Sequence, residues 1–235
     1  MIHAYVLHSI PYKETSLIIK FFTREHGIVH LVARGIKRKK KYLSAILQPF
    51  VPLLIHWKYY TSELATLYQA EASNLPHQLI GLSLFGALYI NELLIKLLAI
   101  MDPYSALFDF YKQFLEKLKD LHIQENKSDL EKHLRFIEKK ILQAIGYELQ
   151  LDRESQTNIP VKLNEKYYFD FDNGLQKLEK NSVIFTQAFN GSSLLALHND
   201  IYSNEQELKE AKLFMRNVLA KFLGKQSLNT KKLFH

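Results

Sequence analysis

The hydrophobic period of this 235-residue chain changes once, at Pro76, and that change limits the folds open to it. Before Pro76, apolar residues recur at every second position in short pieces, at 4–7, 16–22, 28–33, 53–57 and 64–70, which is the spacing of half-buried strands. Turn chemistry falls where hairpins need it: Glu25-His26-Gly27 lies between the second and third pieces, and Pro49 and Pro52 lead into the fourth. Five strands so close together predict a small barrel. A five-stranded, partly open Greek-key barrel is the OB architecture, whose loops and sheet face hold single strands of nucleic acid.

After Pro76 the period becomes that of helices. The most apolar stretch, 79–101, carries Asn91, Glu92 and Lys96 too centrally for hydrocarbon, so it reads as a buried helix and not as a membrane span. Asp102-Pro103 supplies a cap and a first-turn proline, and Leu107, Tyr111, Phe114 and Leu118 repeat on one face behind it. Ser128-Asp129-Leu130-Glu131 is a capping box; Leu130, Leu134, Ile137, Ile141 and Ile145 form the stripe that follows, and Gly146 ends it. Residues 147–202 lose the helical period. There Lys166 to Phe171 alternates and Asp172-Asn173-Gly174 reads as a hairpin turn, so a small irregular or two-stranded insert is expected. A last helix begins near Asn204, runs through Leu208, Ala211, Met215, Val218 and Phe222, and stops at Gly224. The pattern predicts an α+β chain: an OB-fold β-barrel domain over 1–78, then a mostly helical C-terminal domain over 79–235 with an insert at 152–202.

Charge is concentrated in the first of these domains. Residues 1–80 hold ten Lys and Arg against four Asp and Glu, whereas residues 81–235 hold 21 against 20. The excess centres on Lys37, Arg38, Lys39, Lys40 and Lys41, opened by Arg34-Gly35 and set between the third and fourth strands. Cations packed this closely repel unless a polyanion neutralises them, which points to a phosphate backbone; a solvated loop that keeps the protein soluble is the other reading. Phosphates carry no base identity, so no sequence readout is expected. Tyr42, Trp57, Tyr59 and Tyr60 are candidates for base stacking. Tyr42, beside the cations, is favoured, while Trp57 alternates with apolar partners and reads as core. Lys132, Arg135, Lys139 and Lys140, with Glu131 and Glu138, lie off the apolar stripe of their helix as solvent charge or as the rim of an acidic-peptide site. Lys221, Lys225, Lys231 and Lys232 flank the last helix end, where the helix dipole alone favours cations and a second DNA surface is the other reading.

Other chemistries are excluded by what the chain lacks. It has no cysteine, which removes a disulfide framework, a Cys-ligated zinc site and a thiol nucleophile, and fits a reducing cytosol. The start, Met1-Ile2-His3-Ala4-Tyr5, shows no secretory signal. No dinucleotide fingerprint or phosphate-cradling loop occurs among the eight glycines, and Gly81 to Gly86 has the wrong spacing for a nucleophile elbow, leaving Ser83 as a packing residue. Ten histidines are scattered; His26 and His30 straddle Gly27 in strand territory, and His133 falls on the polar side of its helix. Asp170 and Asp172 read as turn carboxylates. The chain is therefore expected to bind and not to catalyse, in the cytoplasm, without a cofactor.

The ordered set of residues resembles a known family. Ala4 to His8, Glu14 to Leu17, Phe22 to Gly27, Leu31 to Gly35 and Leu47 to Phe50 are similar to the N-terminal domain of the bacterial DNA repair family RecO. The likeness continues through Gln69 to Ala72, Leu88 to Leu94, Gly146-Tyr147, Leu149 and Leu151-Asp152, and closes on Phe222-Leu223-Gly224, Leu228, Lys232, Leu233 and Phe234. The resemblance implies an N-terminal OB-fold and a largely helical C-terminal domain. It also implies a nucleoid-associated recombination mediator of the RecF pathway that binds single- and double-stranded DNA and anneals complementary strands. With the RecR protein, such a mediator helps RecA load onto strands coated by single-stranded DNA-binding protein. DNA contacts then fall to Arg34, Lys37, Arg38, Lys39, Lys40, Lys41 and Tyr42. The acidic tail of the coating protein falls to Arg135, where the resemblance aligns a family arginine, with Lys132 and Lys139 chosen from helical geometry. One departure is plain: many relatives carry a four-cysteine zinc site after the Gly-Tyr segment, and here Arg153-Glu154-Ser155 follows Asp152. A generic RNA-binding OB-fold protein is the alternative.

Overall fold

The computed structural model describes residues 1–36, 41–58, 65–124, 127–179 and 187–230. Five strands, β1 (Ile2–Tyr12), β2 (Ser16–Thr23), β3 (Gly27–Ala33), β4 (Leu53–Lys58) and β5 (Ala65–Ala72), close into a barrel of order β1-β2-β3-β5-β4. Every pairing is antiparallel except β3 with β5, which run parallel through Leu31↔Ala65 and Val32↔Thr66. The period of two dictates the core. Ala4, Val6, Ile19, Phe21, Val29, Leu31, Leu53 and Ile55 all point inward and are buried together. The β3–β4 connection, read from the sequence only as a loop, contains a helix, α1 (Lys41–Ile46), with Ile46 and Leu47 joining the barrel core. Six residues are too few to show a helical period.

Two further helices, α2 (Gly81–Leu97) and α3 (Ser105–Gln124), pack on the outside of β1 and β2. Tyr5 and Phe22, the outward residues of those strands, meet Phe108 and Tyr111 of α3 at ring separations of 5.3 to 5.8 Å. Leu7 is the extra residue of a β-bulge, where the β1–β2 register shifts between Val6 and His8. Its carbonyl accepts from Asn91 Nδ2 at 3.2 Å, and Asn91 Oδ1 in turn accepts from the Tyr111 hydroxyl at 2.6 Å, so a bulge, α2 and α3 share one buried network. Burial pushes the Tyr111 phenol well up. From the β2–β3 turn, Arg24 reaches Asp109 with two bonds of 3.0 and 3.1 Å, and its carbonyl accepts from Ser105 Oγ at 2.9 Å. Helix α3 therefore starts at Ser105 and not at the Asp102-Pro103 cap. Gly27, at φ +60°, lies so close to the Asp102 carbonyl that a Cβ would overlap it.

Compactness groups the chain in its own way. One compact unit comprises Met1–Glu125 together with Ser227–His235, and a second comprises Asn126–Gln226. In the first, the late segment is fastened to α2: the amides of Asn229 and Thr230 and the Thr230 hydroxyl all donate to the Glu92 carboxylate, at 2.8, 2.9 and 2.7 Å.

The second unit holds α4 (Lys127–Ala144), β6 (Lys166–Asp170), β7 (Gly174–Lys177), β8 (Ala188–Asn190), α5 (Gly191–Asn199) and α6 (Glu205–Leu223). Leu130, Leu134, Ile137 and Ile141 are buried as the stripe requires, and α4 ends in a Schellman motif: Tyr147 N–H donates to Leu142 O, Gly146 N–H donates to Gln143 O, and Gly146 takes φ +84°. The insert is more ordered than expected. It forms a three-stranded sheet, β7-β6-β8, followed by α5, because Phe189 and Phe169 both pack on Phe214 of α6 at 5.2 and 5.3 Å. The hairpin turn is where the sequence puts it, with Asp170 Oδ1 accepting the amides of Asp172 and Asn173. In a chain without cysteine, hydrogen bonds tie down the segment after Asp152: Ser155 N–H donates to Leu175 O, Ser155 Oγ accepts from Leu175 N–H, and Thr157 Oγ1 donates to Glu154. Asn204 caps α6 through the Glu207 amide, and Glu207 accepts the Ser203 amide. No helix among the described residues is long and apolar enough to cross a membrane.

Candidate nucleic-acid interface

Buried apolar residues lie on both sides of the cationic run in sequence. On one side β3 ends at Ala33, Arg34 is exposed, Gly35 turns the chain at φ +69°, and Ile36 is buried in the barrel core. On the other, α1 begins at Lys41, Leu43 packs on the core, and Ile46 and Leu47 are inside it. Lys37, Arg38, Lys39 and Lys40 lie outside the described residues, as do Tyr59 and Tyr60. Tyr42, the favoured stacking residue, is 61% exposed. Trp57 is partly buried against the barrel core with His26 edge-on at 5.3 Å, as its alternation suggested.

The outer face of β4 and β5 carries a group that the sequence reading did not single out. Tyr68 is 59% exposed, with Lys58 Nζ 4.2 Å from its ring centroid and the His56 ring edge-on at 5.8 Å. Alternation with the inward Ala65 and Leu67 turns Tyr68 outward, and a bulge, where the β4–β5 pairing steps from His56↔Gln69 to Trp57↔Leu67 and leaves Tyr68 without a ladder partner, turns Gln69 outward beside it.

In the second unit, the expected cationic rim on α4 is differently arranged. Arg135 is only 5% exposed and makes a bidentate pair with Glu138, itself fully buried. Lys139 donates to the carbonyls of Leu197 and His198 and pairs with Asp200 at 2.8 Å; burial pushes its ammonium pKa down, and Asp200 partly restores it. Arg135 and Lys139 thus hold the fold of this unit and do not project as a rim. Lys132 is more accessible and pairs with Asp129 at 2.9 Å. At the end of α6, Lys221 and Lys225 are exposed, Lys221 lying 5.4 Å from the Phe171 ring centroid; Lys231 and Lys232 are outside the described residues. Among the described residues no group of three or more His, Asp or Glu could hold a metal ion.

A five-stranded barrel closed through a parallel β3–β5 pair, with its charge gathered between β3 and α1, places the chain in the OB-fold class. The family model described as Recombination protein O N terminal matches residues 1–76, and that described as Recombination protein O C terminal matches residues 81–232. The chain belongs to this recombination protein O family, whose members act in DNA repair and recombination. It is 38% identical to the DNA repair protein RecO of Polynucleobacter asymbioticus over 98% of this chain and 93% of that one. It is 39% identical to the DNA repair protein RecO of Coxiella burnetii over 98% and 95%, and 38% identical to that of Methylococcus capsulatus over 99% and 91%.

Proposed function

We propose that this chain binds single- and double-stranded DNA through its barrel and brings complementary strands together, without bond chemistry of its own. The observation that carries this reading is the cationic segment 34–41, flanked by the buried Ile46-Leu47 on an OB barrel whose domain otherwise holds no net charge. Annealing needs the mutual repulsion of two phosphate backbones to be screened, and a dense cationic segment does this without a nucleotide cofactor. Family membership supports the remainder: work with RecR to load RecA onto strands coated by single-stranded DNA-binding protein, contact with the acidic tail of that protein, and a place at the nucleoid. Of the three α4 cations expected at the tail, Lys132 is the one the geometry leaves most accessible.

Annealing of two complementary oligonucleotides without ATP, combined with salt titration of affinity, tests the reading. Neutralising about four phosphates gives a log–log slope of about −3 on single strands and about −4 on duplex. Replacing Lys39, Lys40 and Lys41 by Ala flattens both slopes and slows annealing; unaltered slopes would remove the segment from the interface. Tighter binding to RNA than to DNA of equal length would favour the RNA-binding alternative.

A further inference from the structure

We propose that Tyr68 is a base-stacking platform for single-stranded DNA on the outer face of β4 and β5, with Lys58 and Arg34 as the phosphate contacts beside it. This rests on the DNA-binding reading above and assigns it a surface. The bulge in β5 exposes Tyr68 and Gln69 in succession, where strict alternation would turn one of them inward. Bulges re-aim side chains in this way and are common beside functional sites. Lys58 supplies positive charge at the ring. Lys58 lies 4.2 Å from the centroid, and His56 meets it edge-on. The parallel β3–β5 register ends at Val32↔Thr66; Arg34, which is exposed, follows the last residue of β3, and Tyr68 lies two residues beyond Thr66 on β5. Strand β3, which Arg34 follows, and helix α1 both pack against β5, the strand that carries Tyr68. Among the described residues of β4 and β5, the acidic residue Glu71 stands toward the other end of the strand pair, opposite Leu54. An exposed aromatic ring in contact with a cation is a combination that holds a single strand: every base has a π-face to stack, and the chain between bases is anionic. Duplex DNA keeps its bases stacked on one another and gains nothing from the ring.

Fluorescence anisotropy of the full chain with a single-stranded oligonucleotide, a duplex of equal length and an abasic strand tests the assignment. Tyr68→Ala is expected to weaken single-strand binding by about 5- to 150-fold, the value of one stacked base, while duplex affinity and the salt slope stay unchanged. Tyr68→Phe keeps wild-type binding, and Tyr68→Ala matches wild type on the abasic strand. A loss of less than about twofold with Tyr68→Ala, or an equal loss on the abasic strand, overturns the platform while leaving the cationic segment in place. Loss of binding in Tyr68→Phe overturns it too, since the ring is retained there. If thermal melting shows Tyr68→Ala to be unfolded, Tyr68→Leu takes its place in the same comparison. Wild-type protein that binds none of the three strands ends the DNA reading and this one together.

Discussion

The Arg135 guanidinium and the Glu138 carboxylate, one turn apart on the buried side of α4, are joined by hydrogen bonds of 2.6 and 2.7 Å. Removing one member of a buried pair strands the other's charge away from water, whereas replacing both with apolar groups of similar volume is often neutral. Arg135→Ala should therefore destabilise the protein by about 3–5 kcal/mol in denaturant unfolding, while Arg135→Met with Glu138→Leu recovers most of that loss. If Arg135→Ala costs under about 1 kcal/mol, Glu138 is finding water and the pair is not structural. The comparison also decides how a tail-binding defect in Arg135→Ala should be read, since an unfolded unit binds nothing.

Glu92 gathers three donors from the late segment. Burial alone would raise its carboxyl pKa, but the amides of Thr230 and Asn229, the Thr230 hydroxyl and Lys96 together bring it below the ordinary carboxylate value. Glu92→Ala is expected to release residues 229–230 from α2, so their amides exchange with solvent much faster while those of β1–β3 do not. The cost to global stability should be about 1–2 kcal/mol. Unchanged exchange at Asn229 and Thr230 would show that Leu228, buried nearby in sequence, holds the segment alone.

Two histidines of the first unit set a pH dependence. Desolvation lowers the His77 pKa, with Glu116 opposing and Lys119 and Lys112 adding to the effect; desolvation, then Lys20 across the β2–β3 pair, lowers that of His30. The unfolded chain binds protons at these side chains near pH 6.5, where the folded chain still does not, so protonation favours unfolding. Stability is full above that pH and is lost as pH falls through the lowered folded values. Thermal melts between about pH 7 and pH 5 should show Tm falling, and the His30→Gln/His77→Gln variant should show a shallower fall. A wild-type Tm that holds steady across the window would mean that both imidazoles charge freely in the folded protein.

Where a single period governs an element, the sequence was enough to place it. Ile19, Phe21, Val29 and Leu31 alternate into the barrel, and Leu130 to Ile141 stripe α4, because each segment is long enough to repeat its own pattern. Helix α1 and strand β8 are too short to repeat anything; tertiary contact, through Ile46 in one and Phe189 in the other, decides them. Arg135 is a related case: residue type says surface, and the bidentate partner three residues on goes with its burial. Beside Tyr68 a bulge turns Gln69 outward too, altering facing without altering composition. The cationic segment needed no periodicity at all, since its message is density of charge.

Thr230 is made 138 residues after Glu92. At bacterial synthesis rates of about 5–20 residues per second, the nascent chain spends roughly 7–30 s with that carboxylate exposed on a helix whose late partner has yet to leave the ribosome. During that interval the whole second unit is threaded out between the two halves of a single contact. The barrel and its helices must then persist as an unfinished body, held by the Tyr111–Asn91–Leu7 network, until the last stretch emerges to close it.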